Sequence, residues 1–196
     1  VDGDGDGEVS LKTSVPDALL SGANMLRALG WQANQPWLQE IYVPDGLDWS
    51  LTGLGKARPV SEWAALGVVP RSGAFAARNL MANVILPQGR NGPAFLTYPN
   101  FDVYFEWNQS FIYVTTAAYF ATRLEGAQIF DAGTPDVGLT GPEMKQLQTL
   151  LKSYGYDVGD IDGILGAKTR LAIQDVQQRL GLPADAWPTP ALLNQL

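Results

Sequence analysis

The densest chemistry in the chain lies at its start, where Asp2, Asp4 and Asp6 alternate with Gly3, Gly5 and Gly7. Alternate spacing lets three carboxylates turn toward one point, and the glycines let the backbone curl tightly between them. Counted from Asp2, Gly7 falls where a calcium-binding EF-hand loop makes its sharp turn, Glu8 offers its backbone carbonyl, and Val9 is the apolar residue that usually follows. Three convergent carboxylates are best neutralised by a hard cation, so calcium is the expected cofactor. The pattern departs at its far end. The twelfth position, a bidentate Glu in the standard loop, is Thr13, and the next acid is Asp17. The expected ligands are therefore Asp2, Asp4, Asp6, Glu8 and Asp17, in a longer loop that closes late. A solvated acidic turn is the other reading of these residues.

Composition narrows the classes of function. A net charge of −7 with no basic run argues against nucleic acid, because phosphate binding needs clustered Lys and Arg. Cysteine and histidine are both absent. That excludes disulfides, thiol chemistry, a Ser-His triad and a zinc site of His or Cys ligands. No apolar run approaches the roughly 20 residues that a spanning helix needs. No signal peptide is present, and the chain begins inside a motif, so the sequence reads as an excised part of something longer.

Elements that position these groups follow from apolar periodicity. Asp17 to Leu29 is expected to be an amphipathic helix, with Leu19, Leu20, Ala23, Leu26 and Leu29 as its stripe and Gly30 as its stop. The runs Glu40–Val43, Asn83–Leu86 and Ala94–Tyr98, each bounded by Pro or Gly, are expected strands of a small antiparallel sheet, with one short helix over Ser61–Gly67. Asn100 to Leu124 is helical and aromatic, with a break near Asn108 to Ser110. Gln128 to Gly138 carries Gly and Pro without periodicity and is expected to be a linker.

A second domain begins at Leu139. Thr140 with Glu143 makes a capping box, Leu147, Leu150 and Leu151 form a stripe, and further helices run from about Ala167 to Leu180 and after Thr189-Pro190. Asp162-Gly163-Ile164 before Thr169 is echoed by Asp185-Ala186-Trp187 before Thr189. By themselves these are folding signals, with Asp in turns and Thr at helix caps. The fold class is thus α+β and mainly helical, with domains at 1–127 and 139–196 joined by the linker 128–138.

Two resemblances sharpen this. Tyr154 through Arg170, then Ala172-Ile173, Gln177 and Gly181-Leu182, closely resemble the peptidoglycan-binding type 1 domain, with Ala186 where a Gly is usual. The resemblance implies a three-helix bundle that holds a hydrolase on the bacterial cell wall. Tyr154, Asp160, Asp162 and Arg170 are the candidates for its binding surface. The first domain resembles the membrane-bound lytic murein transglycosylase B family at Asp2 to Gly7, Pro16-Asp17-Ala18, Ala28 to Trp31, Gly92 to Leu96, Pro99-Asn100-Phe101, Trp107-Asn108 and Tyr113. That resemblance implies the C-terminal part of a lysozyme-like cleft domain, a long-loop calcium site of EF-hand type, and a glycan cleft lined by Trp107, Asn108 and Tyr113. Core packing is the alternative for these aromatic positions.

One expected feature is missing. The family's catalytic glutamate lies in a Glu-Ser pair upstream of the calcium loop, and none of Glu8, Glu40, Glu62, Glu106, Glu125 and Glu143 precedes a Ser. The chain is therefore expected to be part of a periplasmic lytic transglycosylase that yields 1,6-anhydro-muropeptides. Its partners are peptidoglycan and a missing N-terminal segment through which the outer membrane would be reached, and alone it is inactive. A non-catalytic wall-binding protein and a calcium-stabilised structural protein are the other readings.

Overall fold

The computed structural model describes residues 1–196. The loop of the first residues leads into helix α1 (Val15–Ala28), whose cap is Ser14; its hydroxyl accepts from the Asp17 backbone N–H. The apolar stripe of α1 behaves differently from the expectation. Leu19 is 68% exposed and Leu20 47%, and Asp17 is the buried residue of the helix. The stripe has the right period but finds no partner, because α1 meets the rest of the molecule chiefly at α3 (Pro99–Trp107).

Five strands form one antiparallel sheet: β1 (Leu38–Tyr42), β2 (Arg58–Pro59), β3 (Val69–Pro70), β4 (Met81–Ile85) and β5 (Ala94–Thr97). Their spatial order is β2-β4-β5-β1-β3. The central strand β5 pairs Leu96 with Gln39 on one side and with Val84 on the other. All four of its residues are buried, so the sheet is covered on both faces. Successive strand residues point to opposite faces, and two cores follow from that alternation. Ala94 and Leu96 join Val84, Val60, Trp63 and Tyr98 on one face. Phe95 joins Ile85, Leu38, Phe101, Phe111 and Val114 on the other. Helix α2 (Val60–Ala65) places Trp63 in the first core, where its Nε1–H donates to the Ala82 carbonyl at 2.8 Å. Helices α3 and α4 (Phe111–Leu124) cover the second face, with the chain breaking between them at Asn108–Ser110.

After α4 the chain runs without regular structure to Thr140, yet it is tied down along its length. Phe130 packs edge-on against Tyr119 at 5.1 Å and Phe95 at 6.3 Å. The Asp131 N–H donates to Glu40 Oε1 at 2.6 Å, Arg71 donates to the Ile129 carbonyl at 2.5 Å, and the Thr134 N–H donates to the Asn91 carbonyl at 2.8 Å. The segment expected to be a linker runs as a strap along the sheet domain.

The last part is α5 (Gly141–Ser153), α6 (Ala167–Arg179) and α7 (Pro190–Leu193), around Leu147, Leu151, Ile173 and Leu192. Thr140 and Glu143 form the expected capping box. Fully burying a side chain such as Leu147 stabilises by about 1.5–3 kcal/mol.

These helices lie directly against the sheet domain through polar contacts. The buried Gln174 amide donates to the carbonyls of Trp49 (3.0 Å), Thr52 (3.0 Å) and Ala184 (2.8 Å), and its oxygen accepts from Lys56 Nζ. Desolvation pulls the Lys56 ammonium below its usual range. Asp185 accepts from the Arg90 N–H at 3.1 Å, and Gly89, at φ +77°, lets Trp187 approach where a Cβ would sit 2.7 Å from it. A left-handed backbone and a close neighbour together require glycine there.

Candidate functional site

The acidic loop brings Asp2, Asp4 and Asp6 together as expected, with carboxylate oxygens that all lie within 4.8 Å of one another. Calcium–oxygen bonds of 2.3–2.6 Å put ligands on opposite sides of the ion about 4.6–5.2 Å apart, so oxygens this close together can share one ion. The loop is pre-shaped by its own carboxylates: Asp2 accepts from the N–H groups of Gly5 (2.7 Å) and Gly7 (3.0 Å), and Asp6 from that of Glu8 (2.8 Å). Gly5 and Gly7 hold φ of +79° and +89°, so the turns use the freedom that only glycine has.

Asp17 takes a different place from the other three acids. It is buried, and its two oxygens accept from the Gly3 and Ser10 N–H groups, both at 2.7 Å. These bonds, the Ser10 one foremost, hold its carboxyl below the usual range. Asp17 thus closes the loop as a staple and is not part of the exposed oxygen cluster. Gly3 makes this closure sterically workable, since a Cβ there would lie 2.6 Å from the Pro16 carbonyl. Glu8 is exposed beside the cluster. The donor set, all hard oxygen with three charges, fits calcium.

The second group sits at the break between α3 and α4. Trp107 and Tyr113 meet edge to face at 5.4 Å, and they are 42% and 49% exposed. Residues serving the core would be covered, as Phe101 and Phe111 are; these two instead offer half-open aromatic surface. Next to Trp107 in the chain, Asn108 accepts from the Ser110 N–H at 2.8 Å, which fixes the turn and leaves its amide N–H groups unengaged. Ser110 then caps α4 by accepting from the Tyr113 N–H. An aromatic pair near a polar amide can stack a sugar ring and hydrogen-bond its substituents.

The four residues proposed for the surface of the C-terminal helices separate. Tyr154 is 54% exposed, its hydroxyl donating to the Leu196 carbonyl at 2.7 Å, and Asp160 is exposed. Asp162 holds its own turn, accepting from the Ile164 N–H at 2.8 Å and from Gln148 Nε2 at 3.2 Å, which lowers its carboxyl. Arg170 does not stand on an open face. Its guanidinium donates to the carbonyls of Leu86 and Pro87 across the junction and lies 4.4 Å from the Phe111 ring. The motif marked it, but only the packing of α6 onto the sheet domain shows what it touches. Gln174 and Lys56 were missed altogether and Trp187 was read only as a turn residue, because no local pattern signals a contact between domains.

A general acid for glycoside cleavage needs burial or a like charge to keep its proton near neutral pH, and the six glutamates sit as follows. Glu40 is paired with Arg71 at 2.7 Å, Glu143 is tied into the capping box and held low by Thr140, and Glu8, Glu62, Glu106 and Glu125 are exposed.

Residues 1–122 match the family described as Transglycosylase SLT domain. The chain belongs to that family. Residues 140–196 match the peptidoglycan binding domain family. Two crystal structures of SltB3 from Pseudomonas aeruginosa, in complex with NAG-anhNAM-pentapeptide and with NAG-NAM-pentapeptide, are similar to the whole of this SLT-domain chain, each with 40% identity and a TM-score of 0.83. They match over 53% and 54% of their own length, so the chain spans about half of those relatives. The spore cortex-lytic enzyme of Bacillus cereus is 32% identical over 63 residues, which is 32% of this chain and 24% of that enzyme. The likeness to SltB3 establishes the mixed helix-and-sheet fold of the SLT domain together with the appended helices. No helix of this chain is long and apolar enough to cross a membrane.

Proposed function

We propose that this chain is the C-terminal part of a periplasmic lytic transglycosylase of the membrane-bound lytic transglycosylase B type, which cleaves peptidoglycan glycan strands to 1,6-anhydro-muropeptides. The observation that carries this is the half-open pair Trp107 and Tyr113, with Asn108 in the turn that joins their helices, on a domain of the transglycosylase SLT family. In this reading the aromatic faces stack sugar rings, and the free Asn108 N–H groups donate to N-acetyl carbonyls. The catalytic acid belongs to residues outside these 196, since no glutamate here is poised to protonate a glycosidic oxygen. Residues 1–127 form the cleft portion, 128–138 the strap, and 139–196 the module that anchors the enzyme to the wall, with Tyr154 and Asp160 on its open face. That SltB3 was crystallised with muropeptide-type ligands supports peptidoglycan as the partner.

Calcium fits the first loop, where Asp2, Asp4, Asp6 and the Glu8 carbonyl would hold it and Asp17 would keep the loop closed. Its chemistry there is neutralisation of three carboxylates, which rigidifies the approach to α1.

The test is co-sedimentation with purified sacculi and analysis of the soluble products. The chain is expected to sediment with the sacculi and to release no anhydro-muropeptide. Trp107→Ala is expected to weaken sedimentation several-fold at an unchanged melting temperature, as loss of a stacking surface requires. Release of anhydro-muropeptides by the chain alone would overturn the placement of the catalytic acid, and wild-type chain left in the supernatant would overturn the wall-binding function.

A further inference from the structure

A groove of about 590 Å³ runs between α4 and the C-terminal helices, away from the Trp107–Tyr113 pair. One wall is a face of α4, where Ile112, Thr115 and Tyr119 recur at three- and four-residue spacing. The opposite wall carries Met144, Ile164 and Trp187. No Asp or Glu lines the groove, and Arg170 is its one charged group.

Two polar atoms there lack partners. The Nε–H of Arg170 and the hydroxyl of Thr115 are buried without a hydrogen bond. Arg170 makes no ion pair: two of its nitrogens donate to carbonyls and its guanidinium lies over the Phe111 ring. Burial pulls its guanidinium down to about 10, against the attraction of Asp185. The nearest acid, Asp185, attracts this guanidinium from outside the groove without pairing with it, and a desolvated cation in an acid-free apolar groove is matched best by a carboxylate. Apolar walls add a preference for small aliphatic groups beside that carboxylate.

We infer that this groove binds the peptide stem of peptidoglycan, with the methyl groups of its alanines between the apolar walls and a carboxylate at Arg170 and Thr115. The inference rests on the wall-binding function proposed above and adds a second site to it. Within the peptide-bearing polymer it is the peptide that supplies both features, since the muramyl lactyl carboxyl is then an uncharged amide and the glycan offers only the lactyl methyl beside it. The placement on α4 agrees: Ile112 and Tyr113 are neighbours in sequence and project about 100° apart around the helix. A glycan stacked on Tyr113 therefore has the groove around the side of the same helix, where a pendant peptide can turn inward.

The experiment titrates the full chain, labelled for backbone amide NMR, with the soluble pentapeptide stem. Three further probes are the same peptide with its carboxylates amidated, a peptide-free N-acetylglucosamine tetramer, and decanoate. Saturable shifts at Ile112, Thr115, Ile164 and Trp187 are expected with the free peptide, with at least tenfold weaker binding of the amidated one. Ile164→Glu, at a half-exposed position, adds a negative charge to the wall without emptying the core, and is expected to weaken the peptide at least tenfold at an unchanged melting temperature. Equal binding of the amidated peptide, decanoate as tight as the peptide, tetramer shifts in the groove, or no shift at millimolar peptide would each overturn the inference. Sacculus sedimentation separates the two proposals: a chain that sediments but ignores the free peptide has lost only the groove, and one that binds the peptide but not sacculi has lost only the wall-binding function.

Discussion

Replacing Gln174 by alanine removes the central bond of the junction between the sheet domain and the C-terminal helices. The Gln174 side chain offers two N–H groups to three carbonyls, those of Trp49, Thr52 and Ala184, and accepts from the Lys56 ammonium. Two neutral hydrogen bonds are worth about 0.5–1.5 kcal/mol each and one to a charged donor about 1.5–3 kcal/mol. The stranded carbonyls and the ammonium regain some water when the side chain is removed, so the expected loss is about 2–4 kcal/mol. For a chain of this length that corresponds to roughly 5–15 °C in melting temperature. Calorimetry reads it directly. The wild-type chain is expected to unfold in one transition, because the junction couples its two parts, and Gln174→Ala in two resolved ones. Gln178→Ala, exposed on the same helix, is the control and is expected to stay within about 0.5 kcal/mol of wild type. A Gln174→Ala shift below about 1 °C, or one equal to that of the control, would refute the reasoning.

Calcium is expected to raise the melting temperature, by about 2.7 kcal/mol of stabilisation at a hundredfold excess over Kd, whereas magnesium, which demands a tighter octahedral shell, does little; an Asp4→Ala, Asp6→Ala variant that kept the full response would defeat the site. Ala186 stands at φ +60°, a region costing an L-residue about 1–2 kcal/mol, so Ala186→Gly is expected to stabilise by about 0.5–1 kcal/mol, measured as a higher urea midpoint; a lower midpoint would count against strain at that turn. Asp17 is held below its ordinary value of 3.8 by the Ser10 and Gly3 N–H groups. A depressed folded value means that its contribution is complete above about pH 4 and fades as pH falls through the folded value. Asp17→Asn should therefore flatten the acid limb of the stability curve, and an unchanged limb would show that the staple contributes nothing.

Much of the architecture is legible in local pattern. The strands at Glu40–Val43, Asn83–Leu86 and Ala94–Tyr98, the break before α4 and the capping box at Thr140 all carry their signals within a few residues. The pairs Arg58–Pro59 and Val69–Pro70 do not: two-residue strands have no period, and they exist only because β4 and β1 offer them an edge. The stripe of α1 was visible, but its exposure was not, because burial depends on what lies opposite. In the same way the motif singled out Arg170 but could not show that its fork reaches Leu86 and Pro87. Asp17 was recognisable as part of the acidic loop, while its role as a staple needed the folded positions of Gly3 and Ser10. Pattern reports what a residue prefers, and contacts distant in sequence decide how that preference is used.

Under the wall-binding function proposed above, the strap from Gln128 to Gly138 would change how two weak attachments to one polymer combine. Modules on a floppy tether sample many separations, and the second contact forms at an effective concentration of the order of millimolar for a short tether. Here Phe130, Asp131 and Thr134 fix the path of the chain, and Gln174 and Asp185 fix the seat of the helices. On that function the molecule would work as a caliper set to one opening. A wall strand whose units match that opening would gain both contacts without an entropic toll for closing a loop, and a strand out of step would gain only one. Selection by spacing would then reside in a segment whose sequence looks like slack.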